Sequence, residues 1–434
     1  MTLLEWSSLV FSFLCIYQLV RTFGLKLNIQ ESIAGITCLV YLVMPVVAYN
    51  IFNEKSKLAV LWQTTMPISS DEYFAFALPG VIALTLGLIW PFGKRLQYSD
   101  KELLNRVEDY LMNKSFIGYL FIAIGVFSGV ILPYMPPSLF AAVYFANQLL
   151  YIGVIYLLFS HIRFKWGILL MALVFQVLRS INTGMYGSMI FWGFLILLYL
   201  LLKGRQVKTS YKLLILCLGL FFIFLIQSIK IEYRDKTWRD QSRTGDANFF
   251  FSLVGDRLSN PLSVFEYKRL YEMATRGNQG FLLARTMDYV PKKEPFADGE
   301  TIIRSVEASI VPRFLWKDKP ELGGVENTCR FLGDCTKRFY SYNIGQIGEA
   351  YANFGIRGGI LFLFFYGLFT NWSIYLLKKA SSRTPSIILW LPLMFFASLS
   401  LETDVLTFLN TLIKGFLFCL FIYAFFRYVL KWRI

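Results

Sequence analysis

The sequence predicts an all-α polytopic membrane protein of about eleven transmembrane helices, with one large helical extracytoplasmic loop before the last three spans. Three observations predict it. Only 16% of residues are charged and 56% are hydrophobic, whereas a soluble globule carries roughly 25% charged residues. The apolar residues come in runs of about 16–24, the length that crosses roughly 30 Å of hydrocarbon. Basic residues fall in alternate connections between those runs, the pattern of a chain that crosses a membrane repeatedly.

The predicted spans are Leu3–Phe23, Ser32–Phe52, Tyr73–Phe92, Phe116–Leu132, Leu139–Phe159, Lys165–Ser180, Tyr186–Lys203, Tyr211–Lys230, Gly355–Leu377, Ile387–Ser400 and Val405–Leu430. The sixth and tenth are short. The first lacks a basic leader and a small-residue cleavage site, so it reads as a span and not as a cleavable signal. The chain divides into an N-terminal bundle (1–230), a loop domain (231–354) and a C-terminal group of helices (355–434).

Charge sets the expected orientation. Arg21 and Lys26, Lys101 to Lys114, Arg163 and Lys165, Lys203 to Lys212, Lys378 to Arg383, and Arg427 with Lys431 all fall on one side. The positive-inside rule puts that side in the cytoplasm, with the N-terminus and the large loop outside. The loop itself carries 18 bases and 17 acids. The net charge of +15 is therefore a topology signal, and nucleic-acid binding is excluded as a reading.

The loop is too polar for lipid and too apolar for a disordered linker. Asn260-Pro261 reads as a helix start, continuing through Leu262–Ala274. A second helix is expected from Gly299 to Ile310, with Ile302, Ile303 and Val306 on its apolar side and Glu300 pairing with Arg304 one turn on. Pro312 ends it. Cys329 and Cys335 stand six apart in the loop, either as a local disulfide or as two free thiols.

The residues exclude some chemistries. The one histidine, His161, lies in a basic connection on the cytoplasmic side. Zinc hydrolysis and Ser-His-Asp catalysis outside thus lack their parts, and neither a metal nor a cofactor is expected. Cations at the outer boundary break the charge pattern: Arg179, Lys230, Arg234, Arg357 and, inside the last span, Lys414. Each alone reads as a snorkelling base or an ion pair, with Glu402 and Asp404 available to Lys414. Together they suit an anion such as a lipid phosphate or diphosphate. The turn Leu178–Ser188 around Arg179 reads as a plain hairpin or as a phosphate-binding turn. In Val311–Pro320, Arg313, Lys317 and Lys319 surround Phe314 and Trp316, and these rings with Tyr340 could stack on sugar faces. Glu349, at a glycine-rich membrane entry, is the candidate general base; pairing with Arg357 is the alternative.

At these residues the chain resembles the O-antigen and capsule repeat-unit polymerases (Wzy-type). The likeness rests on the span layout, on Lys230-Ile-Glu-Tyr-Arg-Asp235, on the Pro-Arg and Lys-Pro run of 312–320, and on Gly348-Glu-Ala-Tyr-x-Asn-Phe-Gly355. The resemblance implies a bacterial plasma-membrane glycosyltransferase of GT-C-like architecture. Its substrates would be undecaprenyl-diphosphate-linked oligosaccharides, and a flippase and a chain-length regulator would be partners in an assembly complex. Arg179, Arg234, Arg313 and Arg357 would then share the diphosphate, with Lys319 or Lys414 behind them and Lys230, Arg304, Trp316 and Tyr340 also on the substrate; Arg313 and Glu349 would be catalytic, Glu349 as base with Glu307 and Asp256 as fallbacks. Related ligases use an outer-loop histidine, which this chain lacks, so polymerase is favoured over ligase. A lipid-linked glycan flippase or exporter, or a non-catalytic scaffold, are the readings from other classes.

Overall fold

The computed structural model of the chain describes all residues except 93–95, 205–207, 239–244, 314, 317, 336–341, 401–402 and 433–434. Among the described residues it is helical, with no β-strand. Among the described residues nine helices are long and apolar enough to cross a membrane, and two shorter apolar helices, Gly187–Lys203 and Pro385–Leu399, occupy the positions of the seventh and tenth predicted spans. The chain is an all-α polytopic membrane protein.

The N-terminal helices are α1 (Leu3–Thr22), α2 (Ile29–Asn50), α3 (Ser70–Leu88), the amphipathic α4 (Asp100–Leu111), α5 (Ser115–Ile131), α6 (Pro137–Leu158), α7 (Lys165–Thr183), α8 (Gly187–Lys203) and α9 (Thr209–Trp238). α5 and α6 pack along their lengths as a hairpin. In α2, Pro45 has no N–H to offer the carbonyl one turn back. The helix widens there into a π-turn at Leu39–Val43, and the Tyr41 carbonyl instead accepts the Tyr73 hydroxyl of α3 at 2.8 Å. One proline thus converts a backbone bond into an interhelical one.

α9 runs eight residues past the expected end of its span at Lys230. The extension is held by polar and aromatic contacts. Glu232 pairs with Arg257 at 2.7 Å, and Tyr233 is buried against Phe249 and Phe250. The boundary between bundle and loop domain therefore falls inside a continuous helix.

The loop domain contains α10 (Ala247–Ser259), α11 (Tyr267–Gly277), α12 (Gly280–Tyr289), α13 (Glu300–Ile310) and α14 (Val325–Leu332). Two expectations need correction here. Asn260 makes no side-chain cap, and Pro261–Phe265 is a 3-10 turn; the helix starts later, at Tyr267. On α13, Glu300 pairs with Arg330 and Arg304 with Glu326, not with one another. Cys329 and Cys335 are joined as a disulfide.

The chain re-enters through α15 (Gly345–Ser381), then α16 (Leu391–Leu399) and α17 (Val405–Ala424). α15 is two helices meeting at Gly355, whose φ of +64° is open to glycine at little steric cost. The break frees carbonyls of the preceding turn. Those of Ala352 and Asn353 accept the N–H groups of Ala297 and Asp298, both at 3.0 Å. The first half, 345–354, is thereby stitched to the loop domain, while the second half packs along α3. At the far end of the bundle from the loop, Lys378 meets Asp100 at 2.8 Å with both groups buried, and Asp100 also accepts the Leu27 N–H at 2.7 Å. A buried pair of this kind is costly to break, because the surviving charge is left without its partner.

Candidate functional site

The site is built where α13, the first half of α15 and the start of α17 meet. Glu349, on α15, is fully buried. Its Oε1 accepts the Thr301 hydroxyl of α13 at 3.1 Å, and its Oε2 accepts the N–H of Val405 at 3.0 Å. Val405 is the first residue of α17, so the carboxylate satisfies a donor that the helix cannot satisfy itself. Asp404 caps the same helix through the Thr407 N–H at 2.7 Å. Two carboxyl groups thus sit at the positive end of one helix dipole. Burial pushes the Asp404 carboxyl above its ordinary range. Asn353 completes the cluster, donating to Thr301 Oγ1 at 2.7 Å and to the Glu349 carbonyl at 2.8 Å.

In front of this cluster lies a small cleft of about 70 Å³. Thr301, Asp404, Glu300, Glu321 and Glu326 line it, with Arg304 and Arg330. Arg330 is held by Glu294 at 2.7 Å and Glu300 at 2.9 Å. Both arginines are matched by acids, so the cleft is rich in acceptors and holds no surplus of positive charge. Such a lining suits hydroxyl donors better than a phosphate.

The surplus of cations lies beside it. Arg313 touches Glu321 loosely, at 3.8 Å. Lys319 is buried, donating to the Val311 carbonyl at 2.7 Å. Burial first, and the Arg313 charge second, lower its pKa. Lys414, partly buried on α17, feels the charges of both Lys319 and Arg313. Three predicted bases therefore lie within electrostatic reach of one another, two from the 311–320 segment and one from the last span. Trp316 is half-buried within the same segment.

Other predicted residues lie elsewhere. Arg179 donates to Asn147 of α6 at 2.7 Å, and Arg234 donates to the Gly184 carbonyl, in the α7–α8 turn, at 2.9 Å. The turn around Arg179 is thus pinned by packing bonds from two guanidiniums. Lys230 is one turn before Arg234 on α9. Arg357 is exposed just beyond the Gly355 kink and makes no ion pair among the described residues, so Glu349 is not its partner. Arg304 belongs to the cleft and not to the cation cluster. Glu307 and Asp256 are exposed and line no part of the cleft. Phe314, Lys317, Tyr340 and Glu402 lie outside the described residues.

Sequence reasoning offered Asp404 as a partner for Lys414. Ten residues of helix put them about 15 Å apart along the axis, and no ion pair joins them. It also passed over Thr301, Glu326 and Arg330, and gave Glu300 only as a partner for Arg304. One local signal was present: Asp404 precedes an apolar helical run, which is the position of a helix N-cap.

A family model described as a domain of unknown function (DUF8712) matches residues 12–396. No curated protein and no solved structure matches the chain.

Proposed function

We propose that this chain, which belongs to the DUF8712 family, polymerises lipid-diphosphate-linked oligosaccharide repeat units at the outer face of a bacterial plasma membrane. The observation that carries the reading is the pairing of two unlike subsites. Three cations, Arg313, Lys319 and Lys414, converge beside an acceptor-rich cleft backed by buried carboxyl groups. A polyprenyl-diphosphate glycan needs both: positive charge for the diphosphate and hydrogen-bond acceptors for sugar hydroxyls.

The reaction is a single displacement. An acceptor hydroxyl oxygen bonds to the anomeric carbon of the donor glycan as the C–O bond to the diphosphate breaks. The hydroxyl proton passes to the carboxylate cluster, and the diphosphate leaves with the bonding pair. Fixed cations stabilise charge where it develops and need no reorganisation at the moment of reaction. Arg313 has the bidentate geometry for the diphosphate, with Lys319 and Lys414 as point charges. Asp404 faces the cleft; Glu349 stands behind it, joined to the cleft through Thr301. Inversion at the anomeric carbon follows from one displacement. The placement of bases at the end opposite the loop supports an outward-facing loop domain.

The test is purified protein with synthetic lipid-diphosphate-linked repeat units. A ladder of glycan lengths is expected. Movement of single units across vesicle membranes, with no lengthening, would sink the proposal and leave a transporter.

A further inference from the structure

α13 is amphipathic in the opposite sense from a helix of a soluble domain. Its inward face is small and polar: Ser305, Ala308 and Ser309 are buried. Small residues let its backbone approach α17, against which it packs. Its outward face carries the large apolar side chains. Ile303 is 61% exposed, Val306 42% and Ile310 64%, and Leu315 just beyond is 70% exposed. Of the three residues expected on its apolar side, Ile303 and Val306 face outward and Ile302 packs against the core.

The position of the stripe gives it meaning. The N-terminal end of α13 meets the start of α17, because Thr301 and Val405 bond to the same Glu349 carboxylate. Its C-terminal end leads into Arg313 and Lys319, whose charges reach Lys414, about 15 Å farther down α17. α13 therefore runs beside the first turns of a membrane-spanning helix, pointing into the membrane. Farther along α17, Phe416, Leu417, Leu420 and Phe421 are exposed and form the lipid-facing surface of the span. The stripe on α13 stands on a helix packed against that span.

We propose that α13 and Leu315 dip into the leaflet on the loop side of the membrane, with Ile303, Val306, Ile310 and Leu315 embedded among lipid acyl chains. The cations that follow the helix then lie at headgroup depth, where long basic side chains hold their charge at the polar boundary. Glu307, exposed beside Val306, sits at the edge of the buried strip. The occupant of the face is the bilayer itself. The inference rests on geometry and on the chain being a membrane protein, and it holds whether or not the chain is a polymerase.

The experiment uses the full chain in nanodiscs of defined phospholipid, with the four free cysteines replaced by serine or alanine. Single cysteines at Ile303, Val306, Ile310 and Leu315 carry an environment-sensitive fluorophore, and Asp288→Cys is the aqueous control. The four sites should be quenched by acyl-chain nitroxides and shielded from iodide. Their ratio of lipid to aqueous quenching should exceed that of the control by about fivefold or more, as for an interfacial helix buried about 5–10 Å. Iodide quenching at all four sites equal to the control would overturn the proposal, and would leave the face to a protein partner. If the cysteine-replaced chain fails to fold, the unsubstituted chain is labelled by a photoactivatable lipid-chain probe and mapped by peptide mass spectrometry. Labels on peptides spanning 300–315 are expected; their absence, with α17 labelled, overturns it equally. Neither readout measures turnover, so its failure is separate from failure of the polymerase assay.

Discussion

Arginines and lysines stand at two roots of the loop domain, and the two roots use them differently. At the α7–α9 root, Arg179 donates to Asn147 and Arg234 to the Gly184 carbonyl, each guanidinium engaged at its own place. At the α13–α17 root, Arg313, Lys319 and Lys414 act on one another through their charges. Like charges within reach of one another repel, and under the proposed function the diphosphate of the substrate offsets that repulsion. A base at a membrane boundary is therefore a strut or a ligand according to convergence, which composition alone does not reveal.

The sharpest way to break this comparison is to remove cations from each root. Arg313→Ala and Lys414→Ala should each slow ladder formation by about 100-fold or more, the usual loss when one donor to developing charge is removed. Arg179→Ala and Arg234→Ala should lower thermal stability while the folded fraction keeps turnover within a few-fold. Equal losses of turnover at all four positions would erase the distinction between strut and ligand.

A smaller effect tests the carboxylate behind the cleft. Glu349 accepts from two donors, Thr301 and the Val405 N–H. In Glu349→Gln an amide NH₂ must face one of them, so a buried donor goes without a partner, at about 1–3 kcal/mol. A fall in the unfolding midpoint is expected together with loss of the ladder. Full activity in that variant would remove Glu349 from the proton path.

The smallest effect is at Asp404. Asp404→Ala loses the cap, at about 1 kcal/mol, while Asp404→Asn keeps an acceptor for the Thr407 N–H. Because the folded carboxyl titrates above its ordinary range, the ionised form is disfavoured in the fold. The native chain therefore loses stability as pH rises from the ordinary carboxylate range, about 3.9, toward the raised folded value. The asparagine variant carries no such loss. The difference in unfolding midpoint between Asp404→Asn and the native chain should thus grow with pH; a constant difference would count against the burial argument.

Much of the fold was legible from run length alone, since about 20 apolar residues have few other uses. Lys165–Thr183 and Pro385–Leu399 were recognisable despite being short or broken. What run length did not reveal was which way the apolar side of α13 faces. Apolar residues mark the core only when the surroundings are water, and Ile303 and Ile310 are exposed on a helix that packs beside a membrane-spanning one. The bases of the site were visible singly as Arg313, Lys319 and Lys414. Their meeting was not, nor was the Thr301–Glu349–Val405 link. Its members are 48 and 56 residues apart, so no local spacing could announce it.

That link has a consequence for how the protein is made. Thr301, Glu349 and Val405 leave the ribosome in that order, and the last of them opens the final span. Until α17 is synthesised, Glu349 lacks the Val405 donor and α13 lacks the helix it packs along most. The loop domain thus matures last, after the membrane helix that follows it, and a chain truncated before residue 405 should expose an unfinished loop domain to quality-control proteases.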